Sequence, residues 1–312
     1  ETRVESINRG ESYIEDVSSK TLAPLVSKNA QPTDRRPPIS KALLAGRLTA
    51  TTDYEALKEA DAVIVCVPTP LSKTREPELS HIVAAAGEIA KWLHRGMLVV
   101  LESTTYPGTT KEVILPILES SERKVGRDFY LGYSPERINP GNKEHSIKNT
   151  PKLIGGIDPE SAKLAELLYQ QIAKVVLPVS SPEVAEMTKI FENVFRSVNI
   201  ALVNELALLC ERMGISVWEV IDAASSKSFG YMPFYPGPGI GGHCIPLDPF
   251  FLANKAREYG FHTRFIELAA EFNEQMPQYV ASRVIEILNT ISKSLRGAKV
   301  LILGATYKEN IA

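Results

Sequence analysis

The feature that most constrains the fold is a series of five short apolar segments, each about the length of one β-strand. They lie at residues 61–67, 97–102, 129–133, 152–155 and 174–179. Apolar residues at helical spacing occupy 81–94 and 159–172, between some of these segments. Nearly continuous apolar strands that alternate with helices are typical of a parallel sheet covered on both faces. The sequence therefore predicts an α/β fold with a doubly wound parallel sheet in residues 1–181.

After Ser181 the pattern becomes helical. Ser181 is a suitable N-cap, Pro182 occupies the first helical position, and apolar residues recur at three- and four-residue steps as far as Met213. Gly214 is a suitable C-cap, and Ser216 begins a capping box for a second helix. Further helices are predicted at 250–259 and 265–295, and a strand at 299–304. We therefore expect a helical domain at 182–296 and the start of a third unit at 297–312.

The composition is that of an ordinary globular protein, with 312 residues, 44% hydrophobic, and a formal net charge of −2. No basic excess indicates nucleic-acid binding, and no uninterrupted apolar stretch has the length of a membrane span, so we expect neither partner. Three cysteines at wide spacing argue against a disulfide framework and favour the reducing cytoplasm. The chain begins at Glu1 without an initiator Met and stops at Ala312 within an element, so we expect an interior portion of a longer protein.

The strongest indication of chemistry is the segment YPGPGIGGHCIPLDP at 235–249. A run of glycines favours a loop whose backbone approaches a ligand closely; here they are Gly237, Gly239, Gly241 and Gly242. Cys244, directly after this loop, is predicted to be a nucleophile, the alternative being a buried structural thiol. Asp248 follows four residues later, close enough to face the same site. No second Cys or His lies at metal-ligand spacing from His243, so no metal site is predicted.

Polar residues follow the predicted strands, at the edge where α/β sheets bind ligands. Glu136 is either a surface carboxylate or a general base, and Thr104 is either a helix cap before Pro107 or part of the cleft. Lys189 and Asn193 share one face of the long helix. They can stabilise an oxyanion if that face borders the cleft, and otherwise form a solvated stripe. The residues predicted to serve packing are Cys66, Cys210, Trp92 and Trp218.

Several of these segments resemble the UDP-sugar 6-dehydrogenases, in the order found in that family. The cysteine loop, with GGHCIPLDP, is the most specific of them. The others lie at 3–10, 67–70 (VPTP), 102–105 (ESTT), 134–137 (SPER), 189–193 and 305–308 (ATYK), so the resemblance covers essentially the whole chain. It implies a Rossmann-like NAD domain whose first strand and G-x-G-x-x-G loop would precede Glu1. Residues 297–312 would begin a second Rossmann-like domain that binds UDP.

The resemblance implies a four-electron oxidation at C6 of a UDP-sugar, in which two NAD act in turn and a uronate is formed. Cys244 would carry the thiohemiacetal and the thioester, while Lys189 and Asn193 stabilise the oxyanions. Asp248 would position or deprotonate water, and Glu136 would serve hydrolysis. The residues to which the resemblance assigns catalysis are thus Cys244, Lys189, Asn193, Asp248, Glu136 and Thr104.

The resemblance also implies binding residues and an assembly. NAD contacts are implied for Arg3, Pro68, Thr69 and Thr104. Substrate contacts are implied for Glu136, Arg137, Lys189, Asn193, Tyr235, Gly237, Gly241 and Lys308. A homodimer through the helix at Pro182–Met213 is implied as well, although from sequence alone the helix could equally be buried within one chain. Uronates of this kind usually feed the assembly of surface polysaccharides.

Leu247 bears on the choice of substrate, because glucose-type members usually carry a lysine at this position. Together with His243, it favours UDP-N-acetylglucosamine over UDP-N-acetylmannosamine and UDP-glucose, which stay as alternatives. Three other interpretations remain open. One is a hydroxyacid-type NAD dehydrogenase that uses Lys189 without covalent catalysis. The others are a nucleotide-sugar-binding protein without turnover and a cysteine hydrolase, for which the sequence offers no credible base.

Overall fold

The computed structural model describes residues 2–14, 17–26, 48–138, 145–242 and 244–304, and of Cys244 the backbone. His243 and the expected substrate contact Lys308 lie outside these residues. The first elements are the helices α1 (Thr2–Asn8) and α2 (Ser19–Leu22), and the 3₁₀ turns Ala23–Leu25 and Tyr54–Glu59. Arg3 lies on α1, where its guanidinium covers the ring of Tyr13 at 5.3 Å from the ring centroid.

All five apolar segments form strands and join in one sheet in the order β1-β2-β3-β4-β5. The strands are β1 (Ala62–Val65), β2 (Leu98–Leu101), β3 (Tyr130–Tyr133), β4 (Lys152–Gly156) and β5 (Val176–Val179). β1, β2 and β3 run parallel, as do β4 and β5. The prediction of an α/β, Rossmann-like sheet is confirmed.

One pairing departs from the predicted parallel sheet: β3 and β4 are antiparallel, with Tyr133 opposite Gly155. A parallel pair requires a crossover connection, which is usually a helix. The described parts of this connection, 134–138 and 145–151, contain no helix, and the chain turns back on itself. Because β4 is reversed, its first residue, Lys152, lies at the edge of the sheet where β3 ends.

Helices cover both faces of the sheet. They are α3 (Ser80–Trp92), a π-helical turn at Thr110–Ile114 that continues into α4 (Leu115–Glu119), and α5 (Pro159–Tyr169). Successive residues of a strand face opposite sides. Val99 and Leu101 of β2 accordingly join the core beneath α3 and α4, whereas Leu98 and Val100 join the core beneath α5. This two-sided burial explains why β2 is apolar at every position.

The helical domain begins with α6 (Pro182–Met213), whose bounds are those predicted. The N–H of Val184 donates to Ser181 Oγ at 3.4 Å, and Gly214 adopts the left-handed φ of 70° that a C-cap requires. Three helices follow: α7 (Val217–Ser225), α8 (Cys244–Glu258) and α9 (Arg264–Thr290). α6 packs against both α8 and α9.

Helix α8 begins at Cys244, six residues before the predicted start. Pro246 lies in its first turn, where a proline leaves no helical hydrogen bond unmade because those N–H groups have no partner within the helix. A proline-rich sequence can therefore begin a helix that its composition conceals. Cys244 consequently occupies the first position of a helix and not an extended segment.

By length and composition alone, α6 could cross a membrane. One face of the helix is buried against the rest of the chain, however, and this face includes Glu186, Asn193 and Asn204. Each of these side chains has hydrogen-bond partners on another element. Buried polar groups with satisfied hydrogen bonds are characteristic of a core helix.

The strand predicted at 299–304 does not form, so this prediction is wrong within the described residues. The side chains of Leu301, Ile302 and Leu303 are more than 80% exposed. A strand needs a neighbour to satisfy its N–H and C=O groups, and the described residues place none beside this segment.

Candidate active site

The ends of β1 and β2 are joined by hydroxyl groups at the carboxyl edge of the sheet. Ser103 Oγ accepts from the N–H of Val67 and donates to its carbonyl oxygen, both at 2.8 Å. Thr69 Oγ1 donates to the carbonyl oxygen of Thr104 at 2.7 Å. Thr69 and Thr104 therefore lie together, with Pro68 exposed beside them, as a cofactor site at this edge requires. The structure places Arg3 against Tyr13 and not in this set of contacts.

A charged cluster lies where β2 and β3 end and β4 begins. Lys152, only 4% exposed, has its Nζ 2.8 Å from Glu102 Oε1 and 3.3 Å from Glu136 Oε2. Glu136 Oε1 also accepts the backbone N–H groups of Arg137 at 2.7 Å and Ile138 at 2.6 Å. Both oxygens of Glu136 are therefore held by donors. This cluster depends on the reversed direction of β4, which the sequence did not predict.

Cys66 takes part in the same cluster, so its assignment to the core is wrong. The residue lies just after β1 and is exposed, and its Sγ donates to Glu102 Oε2 at 3.4 Å. Partial burial of the thiol and the charge of Glu102 raise the pKa of Cys66 to about 12. The thiol is therefore protonated at neutral pH and is a poor nucleophile.

Arg137 connects the end of β3 to helix α6. Its guanidinium donates to Glu192 at 2.5 and 3.3 Å and to the carbonyl oxygen of Pro151 at 2.8 Å. Glu192 is adjacent to Asn193 on α6, so this contact fixes the helix relative to the edge of the sheet. Arg137 is occupied by protein partners in this structure.

Lys189 and Asn193 of α6 lie next to the first two turns of α8. Asn193 Nδ2 donates to Asp248 Oδ2 at 2.5 Å, and both side chains are buried, at 5% and 2% exposure. Burial raises the pKa of Asp248 to about 6, against the opposing effects of the Asn193 hydrogen bond and the Lys189 charge. Cys244 begins α8 one turn before Asp248. The structure thus brings together the elements that carry all four residues.

The glycine-rich loop forms one wall of a cavity of about 670 Å³. The cavity is lined by Ser197, Pro238, Gly239, Ile240, Gly241, Pro246, Ala270, Asn273, Glu274 and Pro277. Gly241, an expected substrate contact, lies in this wall. Gly237 lies just outside it, where its N–H donates to Asn204 Oδ1 at 2.9 Å.

Tyr235 is not among the residues that line this cavity. Its hydroxyl donates to Asp222 Oδ1 at 2.8 Å, and its ring stacks on Trp218 with centroids 5.8 Å apart. Trp218, which was predicted to serve packing, is 53% exposed. It forms an aromatic pair with Tyr235. The structure therefore places the side chain of Tyr235 against α7 and away from the cavity wall.

Sequence reasoning missed Glu186, a fully buried carboxylate on α6. It accepts the N–H of Gly108 at 2.6 Å, and the N–H and Oγ1 of Thr110 at 2.9 and 2.7 Å. Burial raises its pKa to about 7, against these three hydrogen bonds. The signal that could have found it is its helical spacing from the buried positions Ile190 and Asn193.

Comparison with known proteins first gives the class to which the chain belongs. Residues 1–173 match the NAD binding domain of the UDP-glucose/GDP-mannose dehydrogenase family, and residues 183–275 match the central domain of the same family. The chain belongs to this family, and the resemblance inferred from its motifs is confirmed.

Individual relatives refine this class. The UDP-N-acetyl-D-glucosamine 6-dehydrogenase of Pseudomonas aeruginosa is 42% identical over 268 residues, which cover 85% of this chain and 63% of that protein. The UDP-N-acetyl-D-mannosamine dehydrogenase of Pyrococcus horikoshii is 37% identical over 276 residues, covering 88% and 64%. The solved structure of the UDP-D-ManNAc dehydrogenase from Pyrococcus horikoshii matches with a TM-score of 0.82 and 34% identity, covering 94% and 65%. The chain spans less than two thirds of the length of these relatives.

Proposed function

We propose that this protein oxidises the C6 hydroxymethyl group of a UDP-sugar to a carboxylate, with NAD as the oxidant. The observation that carries the proposal is the meeting of Lys189, Asn193 and buried Asp248 beside the first residue of α8, Cys244. Oxidation to the aldehyde transfers two electrons to one NAD. Addition of the Cys244 thiol gives a thiohemiacetal, whose oxidation by a second NAD gives a thioester. Water then releases the carboxylate and restores the thiol.

The residues around Cys244 have separate roles in this proposal. Lys189 and Asn193 donate hydrogen bonds to the substrate oxygen as it becomes an alkoxide and then a tetrahedral oxyanion. Asp248 has a pKa of about 6, so it is ionised yet basic enough near neutral pH to take a proton from water. Glu136, held by Lys152 and two backbone N–H groups, orients the water.

The residues present fit the nicotinamide half of NAD. Pro68, Thr69 and Thr104 lie at the carboxyl edge of a sheet that matches the family's NAD binding domain. When bound there, NAD accepts hydride from C6. Thr69 and Ser103 fix the backbone against which the nicotinamide would pack. The 312 residues contain no G-x-G-x-x-G after a strand, so they offer no such loop for the pyrophosphate.

We favour UDP-N-acetylglucosamine as the substrate and keep UDP-N-acetylmannosamine as the alternative. Both kinds of dehydrogenase occur among the relatives, at 42% and 37% identity. Leu247, which is partly buried against Ile190 and Val194, supports a hexosamine over glucose by analogy within the family. The proposed UDP-sugar contacts include Arg137 and Gly241. Tyr235 would have to leave Asp222 and Trp218 to reach the substrate. Lys308, also proposed, lies outside the described residues.

We also propose a cytoplasmic homodimer that forms through α6, with the domain division 1–181, 182–296 and 297–312. The support is a row of apolar side chains left exposed on this helix, among them Phe191 at 62%, Leu202 at 60% and Met213 at 60%. A patch of this kind on a long helix is typical of a protein interface. Leu202→Glu should convert the dimer to a monomer in analytical ultracentrifugation, and an unchanged mass would contradict the proposed interface.

The stoichiometry of the reaction tests the proposed function. The full-length product of the native gene is incubated separately with UDP-N-acetylglucosamine, UDP-N-acetylmannosamine and UDP-glucose and excess NAD. We expect two NADH per sugar consumed, with UDP-N-acetylglucosamine preferred. One NADH per sugar would indicate a simple alcohol dehydrogenase in which Cys244 is not a nucleophile. Binding without NADH would indicate a nucleotide-sugar-binding protein.

A further inference from the structure

The glycine-rich loop rests on two asparagines that the proposed chemistry does not use. Gly237 N–H donates to Asn204 Oδ1 at 2.9 Å, and Asn204 Nδ2 donates to Asn273 Oδ1 at 3.0 Å. Asn273 Nδ2 then donates to the carbonyl oxygen of Ser197 at 2.9 Å. The asparagines are 0% and 5% exposed. Each amide therefore serves as both donor and acceptor, and a substitution of either leaves a buried polar group without a partner.

The loop also approaches α9 closely two residues later, at Gly239. Pro277 lies inside α9 and has no N–H, so it cannot donate the helical hydrogen bond to the carbonyl oxygen of Asn273, four residues earlier. That oxygen faces Gly239: a Cβ built on Gly239 would lie 3.1 Å from it and 3.4 Å from Pro277 Cδ. Gly239 also has a φ of 122°, which side-chain-bearing residues rarely adopt.

These contacts lie in the wall of the cavity. Gly239, Asn273, Pro277 and Ser197 all line it. The proline within α9 has a cost to helix stability that packing alone does not explain, because proline is the least favourable residue in a helix interior. Its position beside Gly239 indicates that the loop, and not the helix, benefits from the proline.

We propose that Asn204, Asn273 and Pro277 are positioning residues that fix the backbone of residues 237–239 so that the cavity can bind the UDP-sugar. This inference rests on the proposed function for the identity of the ligand. It assigns to these residues a role in binding and not in the oxidation itself. The residues that fix the loop belong to α6 and α9, so these two helices together determine the shape of the proposed substrate site.

The variant Pro277→Ala separates this role from a general structural one. Alanine restores the N–H that donates to the Asn273 carbonyl oxygen within α9, and it removes the ring beside Gly239. We expect a higher Tm, because the helix gains a hydrogen bond, together with UDP-sugar binding weakened about tenfold. Parallel loss of both stability and affinity, or unchanged affinity, would overturn the proposal.

Asn204→Ala and Asn204→Asp examine the other contact. Aspartate keeps the acceptor for Gly237 but sets an oxygen against Asn273 Oδ1. For both variants we expect KM for the UDP-sugar to rise about tenfold while kcat changes less than about threefold. Asn199→Ala is the matched control, because among the described residues Asn199 donates to the carbonyl oxygen of Phe195 on its own helix and not to the loop. A fall in kcat without a change in KM would contradict a positioning role.

Gly239→Ala and Gly230→Ala distinguish close approach from backbone strain. Both glycines have positive φ, of 122° and 69°, but a Cβ on Gly230 would meet nothing nearer than 4.0 Å. We expect only Gly239→Ala to weaken UDP-sugar binding, by about tenfold. Equal effects of the two substitutions would mean that the contact with Asn273 is unimportant.

Amide hydrogen exchange of the segment 236–241 tests, without a ligand, whether Asn204 and Pro277 hold the backbone of the loop. We expect faster exchange in Asn204→Ala and Pro277→Ala than in the unsubstituted protein and in Asn199→Ala. If no UDP-sugar binds to the unsubstituted protein while these differences in exchange are seen, the proposed function fails, but Asn204 and Pro277 still fix the backbone of the loop. If UDP-sugar binds, and either exchange or affinity is unchanged in both variants, the inference itself fails.

Discussion

The two regions that meet at the candidate site are held together by different means. At the edge of the sheet, side chains are fixed by charge: Lys152 lies between Glu102 and Glu136, with Tyr169 donating to Glu102 at 2.6 Å. In the helical domain, the cluster around Asn193 and Asp248 has one buried carboxylate without a direct ion pair among the described residues. The first region shares one buried lysine between two carboxylates, and the second leaves one carboxylate dependent on an amide donor.

This difference indicates separate roles for the carboxylates of the two regions in the proposed reaction. A carboxylate paired with lysine is held in place and is suited to orientation, whereas a buried carboxylate with a raised pKa can exchange a proton near neutral pH. In the proposed reaction, the sheet edge would therefore be the fixed wall against which cofactor and water lie. In the proposed reaction, the α6–α8 face would carry the group that exchanges a proton, Asp248.

The largest effect is expected from Cys244→Ser, because it removes the covalent step. A serine hydroxyl is far less nucleophilic than a thiol at neutral pH, so net oxidation should fall by at least about 1000-fold with UDP-sugar binding retained. Isothermal titration gives the affinity and NADH formation gives the rate. Cys66→Ser is the control, since the Cys66 thiol lies in the sheet-edge cluster with a pKa near 12 and should be dispensable. Comparable losses in both variants would contradict a specific role for Cys244.

The next largest effect is expected on stability, when the lysine shared by the two carboxylates of the sheet edge is removed. Lys152→Met leaves Glu102 and Glu136 close together without their shared cation, which should lower the free energy of unfolding by about 3 kcal/mol. Lys163→Met removes an exposed partner of Glu166 at 2.9 Å and should cost less than about 0.5 kcal/mol. Urea unfolding measures both. Equal values would mean that burial of Lys152 gives its ion pairs no special weight.

The sequence predicted well those features that depend on local patterns. The strands followed from apolar runs, and the bounds of α6 followed from Ser181 and Gly214, whose capping roles need only neighbouring residues. The cysteine loop could be recognised because its glycines are unusual in any regular element. The pairing of Asn193 with Asp248 was also accessible, since both belong to segments that the family motifs brought to one site.

The features that could not be predicted depend on residues distant in sequence. The direction of β4 depends on a connection whose described parts contain no helix, and Lys152 therefore looked like an ordinary strand residue. Cys66 looked buried because its neighbours are apolar, yet β1 ends one residue earlier and leaves it exposed. The partners of Glu186 lie 76 and 78 residues away, so its hydrogen bonds could not be read from α6 alone, although its helical spacing could have indicated its burial.

Asp248→Asn tests whether the helical region contains the group that titrates. Since the ionised form accepts the proton and its pKa is about 6, kcat of the unsubstituted protein should rise with pH through about 6. The variant should lose about 100-fold in kcat at pH 8 and lose this limb of the profile. Asp222→Asn, which changes an exposed partner of Tyr235, should leave both kcat at pH 8 and the limb of the pH profile near pH 6 unchanged. A limb near pH 6 that survives in Asp248→Asn would assign it to another group.

Glu186→Gln is expected to have the smallest effect, and it concerns the junction of the two regions. Glutamine accepts through one oxygen and turns an NH₂ group toward the N–H donors of Gly108 or Thr110, so unfolding free energy should fall by about 1.5 kcal/mol at pH 5. Glu183→Gln, a partly exposed neighbour that pairs with Lys111 at 3.4 Å, should change it by less than about 0.5 kcal/mol.

The pH dependence of this loss identifies its cause. The folded pKa of Glu186, about 7, lies above the ordinary value of 4.5, so ionisation is more costly in the folded state. Its contribution to stability is fully present below about pH 4.5 and is lost as the pH rises through 7. Glutamine does not titrate, and the gap between the two proteins should therefore narrow from pH 5 to pH 8, while contributions from Asp248 cancel. A gap that widens with pH would mean that the three donors outweigh burial and that the bridge between the regions is strongest when Glu186 is charged.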